Sequence, residues 1–243
     1  MTSVSIAARA QNPPHIYFRV TTLIFAALLA AQCIWLLLAE FSRPRLDGLP
    51  LDAASAAAAS RDREPARWAA SVGVIRGDLW AISAFTYADV VIGNNRAGGR
   101  PAADPTVAQL RASAEHALNN APTQSAVWLL RTGLALQYPS GRLSPLEPLR
   151  MSYYTGPSDQ RIVPLRLQLA ARADGFGDIE IREFAVRDIR MLLAAKQYRA
   201  IAHAHEIASN AGKQFIEQTV HDIDPSAATN ISLPSPTIQP LPD

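Results

Sequence analysis

The stretch Ala121–Ala135, APTQSAVWLLRTGLA, returns in altered form at Gly156–Ala170, GPSDQRIVPLRLQLA. The two align at an offset of 35 residues (121 against 156), pairing Pro122 with Pro157, Val127 with Ile162 and Leu130 with Leu165. Arg131 pairs with Arg166, Leu134 with Leu169, and Ala135 with Ala170. A period in the mid-thirties leaves room for two helices and their turns, the unit of an α-solenoid. One such hairpin cannot cover its own apolar face, so neighbours must stack to bury it. The pattern admits either a stacked solenoid or a non-repeating helical bundle; in both the fold class is all-α.

The helical reading extends outward from the repeat. Trp68, Val72, Ile75, Leu79, Ile82, Thr86 and Val90 recur at spacings of three and four, predicting one long amphipathic helix that starts near Pro65 and ends around Gly93–Asn94. Gly73 and Gly77 lie one turn apart on it, where a close helix crossing would repay their low helix propensity. Arg76–Asp78, an RGD, falls inside the same helix and carries no adhesion reading. Val107, Leu110, Ala114 and Leu118 predict the next helix, followed by Thr123–Tyr138, a short helix at Leu146–Tyr154, and one from Ser158 to about Ala173. Helices at about Asp178–Ala195 and Tyr198–Val220 complete the series. No sustained alternation of apolar and polar residues marks a strand.

Upstream, Val20–Ala39, VTTLIFAALLAAQCIWLLLA, holds no charged residue. Twenty residues at about 1.5 Å each give about 30 Å, the thickness of a bilayer's hydrocarbon core. Tyr17, Phe18, Trp35 and Phe41 stand near its ends, where aromatic rings favour the interface. A cleaved signal peptide fits less well, because the apolar run is long and no small-x-small site follows Ala39. Lipidation at Cys33 is rejected: Gln32 occupies the position that needs a small residue, and the apolar run continues past the cysteine. The chain thus divides into a cytoplasmic leader (1–19), a transmembrane helix (20–39), a linker (40–50), a helical domain (51–222) and a disordered proline-rich tail (223–243). Arg9 and Arg19 before the span and Arg43 and Arg45 after it give little positive-inside bias. A short leader before one span and a large domain favours export of the domain, with the N-terminus cytoplasmic.

Composition excludes some functions. The 243 residues carry a formal net charge of only +2, which gives no basic footprint for nucleic acid. The basic residues are almost all arginine, with lysine only at 196 and 213, which together with the many alanines suggests a GC-rich bacterial genome. A single cysteine excludes an internal disulfide and a multi-cysteine metal site. His203 and His205 in AHAHE stand two apart on a helix, so they point about 200° away from each other and cannot readily share an ion. GNNRAGG (93–99) is glycine-rich, but no strand precedes it, so it is not a phosphate cradle. YYTG at Tyr153–Gly156 reads as tyrosines packing between hairpins. No Ser/His/Asp arrangement, Walker loop or dinucleotide fingerprint is present, and no acid stands in an apolar pocket pattern. The expectation is therefore a protein that is not an enzyme, with no cofactor, no metal and no small-molecule substrate.

Three charges interrupt apolar faces. Arg131 lies in the arc of Val127, Leu130, Leu134 and Tyr138; Arg166 lies among Ile162, Leu165 and Leu169; Asp188 lies among Ile181, Phe184, Ala185, Ile189 and Leu192. Unpaired, each would cost several kcal/mol. Arg166 is therefore expected to pair with Asp188, and Arg131 to find a carboxylate or backbone carbonyls. An arginine grip on an anionic ligand is the alternative use of the same residues.

The turn prolines after NNA and YTG make the units resemble tetratricopeptide repeats over about Val107–Ala173, although the usual Trp-Leu-Gly-Tyr signature is missing. The whole layout is similar to that of membrane-anchored accessory proteins of bacterial envelope-polysaccharide machinery. The resemblance implies an inner-membrane adaptor with a periplasmic helical domain that binds protein partners, with polysaccharide assembly or export as its setting. An accessory subunit packing its span through Ala26, Ala27, Ala30 and Ala31 inside a larger membrane complex is the alternative; an envelope hydrolase is a third.

Overall fold

The computed structural model describes residues 14–92, 104–139 and 144–231, and among these the chain is helical throughout, with no strand. The first helix, α1 (Pro14–Phe41), includes Tyr17–Phe41, long and apolar enough to cross a membrane. From Tyr17 to Phe41, Ala39 alone is buried, so α1 stands clear of the body rather than serving as a core helix. After it, residues 42–52 run along the domain. Arg161 Nη1 donates to the Asp47 carbonyl at 2.9 Å, and Leu49 and Pro50 are buried. Gly48 takes φ +140°, a conformation that favours glycine, and lets the segment turn there. The linker is therefore laid down on the body, not a free tether.

Asp52 opens α2 (Ala53–Ala59) with a capping box: its carboxylate accepts from the Ala54 and Ser55 amides, at 2.9 and 2.8 Å. The single helix expected over Trp68–Val90 is three: α3 (Arg63–Val72), α4 (Gly77–Phe85) and α5 (Asp89–Ile92). Gly73 ends α3, and its close approach to the Leu79 side chain leaves no room for a Cβ. The intervening 73–76 turn is four residues long, about one helical turn. The apolar period therefore keeps its phase across a break that reverses nothing in the spacing. Ile75, expected on the buried stripe, is 82% exposed as a result. Arg76 lies at the N-cap of α4 with its guanidinium paired to Asp78, so the RGD sits at a helix junction and not within a helix.

The body continues with α6 (Pro105–Asn120), α7 (Ser125–Gln137), α8 (Leu146–Thr155), α9 (Val163–Arg172), α10 (Ile179–Ala194), α11 (Tyr198–Ile207), α12 (Asn210–Ile223) and α13 (Pro225–Ile231). The strongest packing is pairwise: α4 on α6, α7 on α8, and α9 on α11. Adjacent pairs meet as α6 and α4 on α7, then α7 and α8 on α9, so one apolar core runs along the series from Leu49 to Ile231. The expected Tyr198–Val220 helix divides at Ala208–Ser209, because Ser209 caps α12 by accepting from the Gly212 amide and also donates to Asp174. Helix α9 starts at Val163, later than Ser158, after a turn in which Asp159 and Ile162 amides bond back to Gly156 and Asp159. The tail is helical at its start: Asp224 accepts from the Ser226 and Ala227 amides, Pro225 supplies the first turn, and Ala227 and Ile231 are buried against α11 and α12. Residues 232–243, the GNNRAGG loop and the leader through residue 13 lie outside the described residues.

Gly77 is where two backbones meet. A Cβ there would stand 2.5 Å from Ala121 Cβ, 2.9 Å from Ala121 N and 3.1 Å from Ala117 O. Backbone cannot step aside, so Gly77→Ala should lower stability by about 1–3 kcal/mol, the scale of overpacking in a dense core. Gly177→Ala, with nothing within 4 Å of the added carbon, should change it by less than about 1 kcal/mol. Urea melts of the two variants check this; equal midpoints would contradict the close crossing of α4 on α6.

Candidate docking groove and the ion pair behind it

Helix α9 carries Leu165, Gln168, Leu169 and Arg172 at spacings of three and four, one stripe of its surface. That stripe forms one wall of a cleft of about 560 Å³. Leu129 and Leu130 of α7 and Val91 and Ile92 of α5 supply more of the apolar lining. His203 and Ile207 of α11 and Leu49, Leu51 and Asp52 of the laid-down linker close the sides. The floor is buried leucine; toward the mouth the stripe becomes polar, with Gln168 half-buried and Arg172 exposed.

The polar groups at the mouth are not equally available. The Asp52 carboxylate is committed to the α2 cap, and the Ser55 amide holds it below the usual carboxylate range. His203 has Glu206 at 3.8 Å, beyond hydrogen-bond range. Among the described residues no carboxylate pairs with Arg172. The groove thus combines an apolar floor with a guanidinium, an imidazole and a carboxamide. That set can seat an apolar segment and bond its carbonyls or an anionic group. Among the described residues that line it there is no nucleophile with an adjacent base.

About 100° round α9 from Leu165, Arg166 is fully buried. Its Nε donates to Asp188 Oδ2 at 2.8 Å and its Nη2 to Asp188 Oδ1 at 2.7 Å, a bidentate pair between α9 and α10. The remaining Nη1 donates to the Gly156 carbonyl at the end of α8, at 2.8 Å, and the guanidinium lies 4.4 Å from the centre of the Tyr153 ring. Burial pushes the Asp188 carboxyl above its usual range against the downward pull of the Arg166 hydrogen bonds, and burial pushes the Tyr153 phenol well up. One arginine therefore ties α8, α9 and α10 together and fixes the rotation of α9. That rotation decides which residues of α9 face the groove.

Arg131 departs from its expected role. It is half-buried, its guanidinium lies 5.4 Å from the Trp128 ring centre, and among the described residues it meets no carboxylate or carbonyl. The α7 surface there reaches solvent, so the long side chain can lie over an aromatic face and keep its charge wet. His203 and His205 point apart: His203 faces the groove, and His205 Nε2 meets Glu217 Oε1 of α12 at 2.7 Å. Tyr153 is buried between helices, stacked on Phe184. Nothing in the spacing of Leu49 and Leu51 announced that a linker would line a groove. The apolar residues flanking Pro50 in GLPLD are the one local signal.

No protein family, no curated protein and no solved structure matches this chain.

Removing one member of the buried pair leaves an uncompensated charge, so Arg166→Leu should cost about 3–5 kcal/mol. Joining it to Asp188→Leu should restore most of that loss, because neither charge then remains buried. Thermal melting of the single and double variants checks this, and an unchanged melt in the single variant would rule out the pair's structural role.

A second ion pair outside the core sets a pH response. Asp178 accepts from Arg150 Nη2 at 2.6 Å and from the Ile181 amide at 3.1 Å, and the Arg150 hydrogen bond leads in holding its carboxyl below the ordinary range. Its folded value lies below the unfolded one, so its contribution is complete above the ordinary carboxylate pKa of about 3.9 and is lost as pH falls through the folded value. Because both side chains remain partly exposed, Asp178→Asn should cost no more than about 1 kcal/mol at neutral pH. It should also flatten the acid limb of a stability–pH curve; an unaltered acid limb would show that the pair contributes nothing.

Proposed function

We propose that this chain is a membrane-anchored helical adaptor whose groove binds an apolar segment of a protein partner. The observation that carries the reading is the coupling of an unburied apolar helix, long enough to span a bilayer, to a body with a leucine-floored groove and an arginine at its mouth. A span fixes location and a stacked helical body offers a concave face, the division of labour in helix-repeat binding proteins. On this proposal the helical body lies on the periplasmic side of a bacterial inner membrane, with α1 crossing it. The similarity of layout to accessory proteins of envelope-polysaccharide machinery makes assembly or export of such a polymer the proposed setting.

Photocrosslinking in cells tests this. A benzoylphenylalanine replacing Gln168 or His203 should give a discrete adduct on the full chain, and one replacing Glu183, exposed on α10 and outside the groove, should not. Equal labelling at all three positions, or none at any, would overturn the groove as the docking face.

A further inference from the structure

Four large apolar side chains stay exposed on the segments that form the corner between the end of α1, α3 and the 73–76 turn. Phe41 is 85% exposed, Ile75 82%, Val74 60% and Trp68 45%. The corner is not loosely placed. Ala39 on the last turns of α1 is buried in a small cluster with Ala70 and Leu79, flanked by Val72 and Trp80. Arg76 Nη1 meets Glu40 Oε2 at 3.1 Å and its Nη2 meets Asp78 Oδ2 at 2.7 Å; Arg43 meets Glu40 at 3.1 Å. The Trp80 indole donates to the Val74 carbonyl at 3.0 Å, which holds the shape of the turn. The 73–76 turn is therefore clamped at the level of Glu40, the first charge after the apolar run of α1.

We propose that Val74 and Ile75, with Trp68 and Phe41 beside them, insert into the headgroup–acyl boundary of the phospholipid bilayer as a second membrane contact next to the span. This rests on the reading of α1 as a membrane span. Three features select lipid over a protein partner as the occupant. The turn sits beside the end of α1, held there by the Ala39–Ala70–Leu79 cluster and the Arg76–Glu40 pair. Its level is set by Glu40, where an α-helix leaves the hydrocarbon. Its composition is that of an interfacial wedge: aliphatic tips, a tryptophan and exposed Arg67 beside it to meet phosphate. A turn projecting β-branched side chains into water has no folding use, since neither Val74 nor Ile75 contributes to a core cluster. Two contacts fix the tilt and rotation of α1 in the bilayer, and with them the body clamped to its end. The groove would then be presented at a set angle to the membrane.

The test uses the full chain in a Cys33→Ala background, reconstituted into phosphatidylcholine–phosphatidylglycerol vesicles. Single cysteines replace Ile75, Val74, Leu28 in the span, or Glu206, which is exposed on α11, and each carries the fluorophore NBD. Nitroxides at carbon 5 and, for position 28 near mid-bilayer, at carbon 12 of the acyl chain serve as quenchers. Emission at positions 74, 75 and 28 should be blue-shifted and quenched, while that at 206 should match the probe in water. Quenching at 28 without quenching at 74 and 75 overturns the second contact and leaves the span intact. No quenching at 28 overturns the span reading, and the second contact with it. A blue shift at 75 that lipid nitroxide does not quench means that a protein or a second copy covers the patch, and quenching at 206 as well means that the body adsorbs unselectively; either overturns the proposal. Ile75 is mostly solvent-exposed, so its replacement leaves the core untouched.

Discussion

A charged group with no exposure to water constrains a fold more tightly than any apolar contact, because it has so few acceptable surroundings. Arg166 is such a group. Its donors are spent on Asp188 and on the carbonyl that ends α8, and its flat face rests near the Tyr153 ring. An apolar residue in its place could pack at several rotations of α9; the guanidinium accepts one. With the rotation of α9 fixed, Leu165, Gln168, Leu169 and Arg172 have to face α7 and α11, and the groove follows. The repeat that opens the sequence places an arginine at the same point of two helices. Only the second is enclosed, because α10 lays a carboxylate against it, whereas Arg131 stays at a surface.

Around that fixed point the packing depends on small residues. Ala56, Ala66, Ala70, Ala84, Ala88, Ala114 and Ala117 are all at or below 1% exposure, so the helices of the N-terminal half lie close, with little side chain between their axes. Gly77 over Ala121 is the extreme case. Close packing of this kind gains dispersion contacts over many atoms and leaves little room for rearrangement. It also explains why residues 73–76 must turn outward. Gly73 lets Leu79 fold back beneath it, and the turn's own side chains have no interior left to occupy.

The all-helical class, the long apolar first helix, most helix centres and the partnership of Arg166 with Asp188 were legible because each follows from a period or from the cost of an unpaired charge. The breaks were not. A four-residue turn between α3 and α4 preserves the helical phase, so the stripe from Trp68 to Val90 reads as continuous. Likewise Ser209 looks like any helix-surface serine until Asp174, distant in sequence, accepts its hydroxyl. The short helix α13 was hidden by a proline-rich composition, although Asp224 followed by Pro225 is a sound start signal. The groove was the least legible feature. Its walls come from five separate segments, and no local pattern says which outer faces of α5, α7, α9 and α11 will converge.

Helix α1 and the groove are not independent devices joined by a string. Residues 42–52 connect them, yet this segment is held by Arg161 at Asp47, buried at Leu49 and Pro50, and lines the groove with Leu49 and Leu51 before capping α2 through Asp52. At its other end Glu40 and Arg43 are tied into the Arg76–Asp78 corner. A force or displacement at the end of α1 therefore reaches the groove wall through short, hydrogen-bonded backbone and not through slack chain. On the adaptor reading, the consequence is mechanical. A partner segment seated against Leu49 and Leu51 presses on the same strand of chain that positions α1, so occupancy of the groove and the attitude of the anchor are linked by a common element. Linkage of this kind is reciprocal: a constraint on the α3–α4 corner would change the affinity of the groove, as occupancy of the groove would shift the corner.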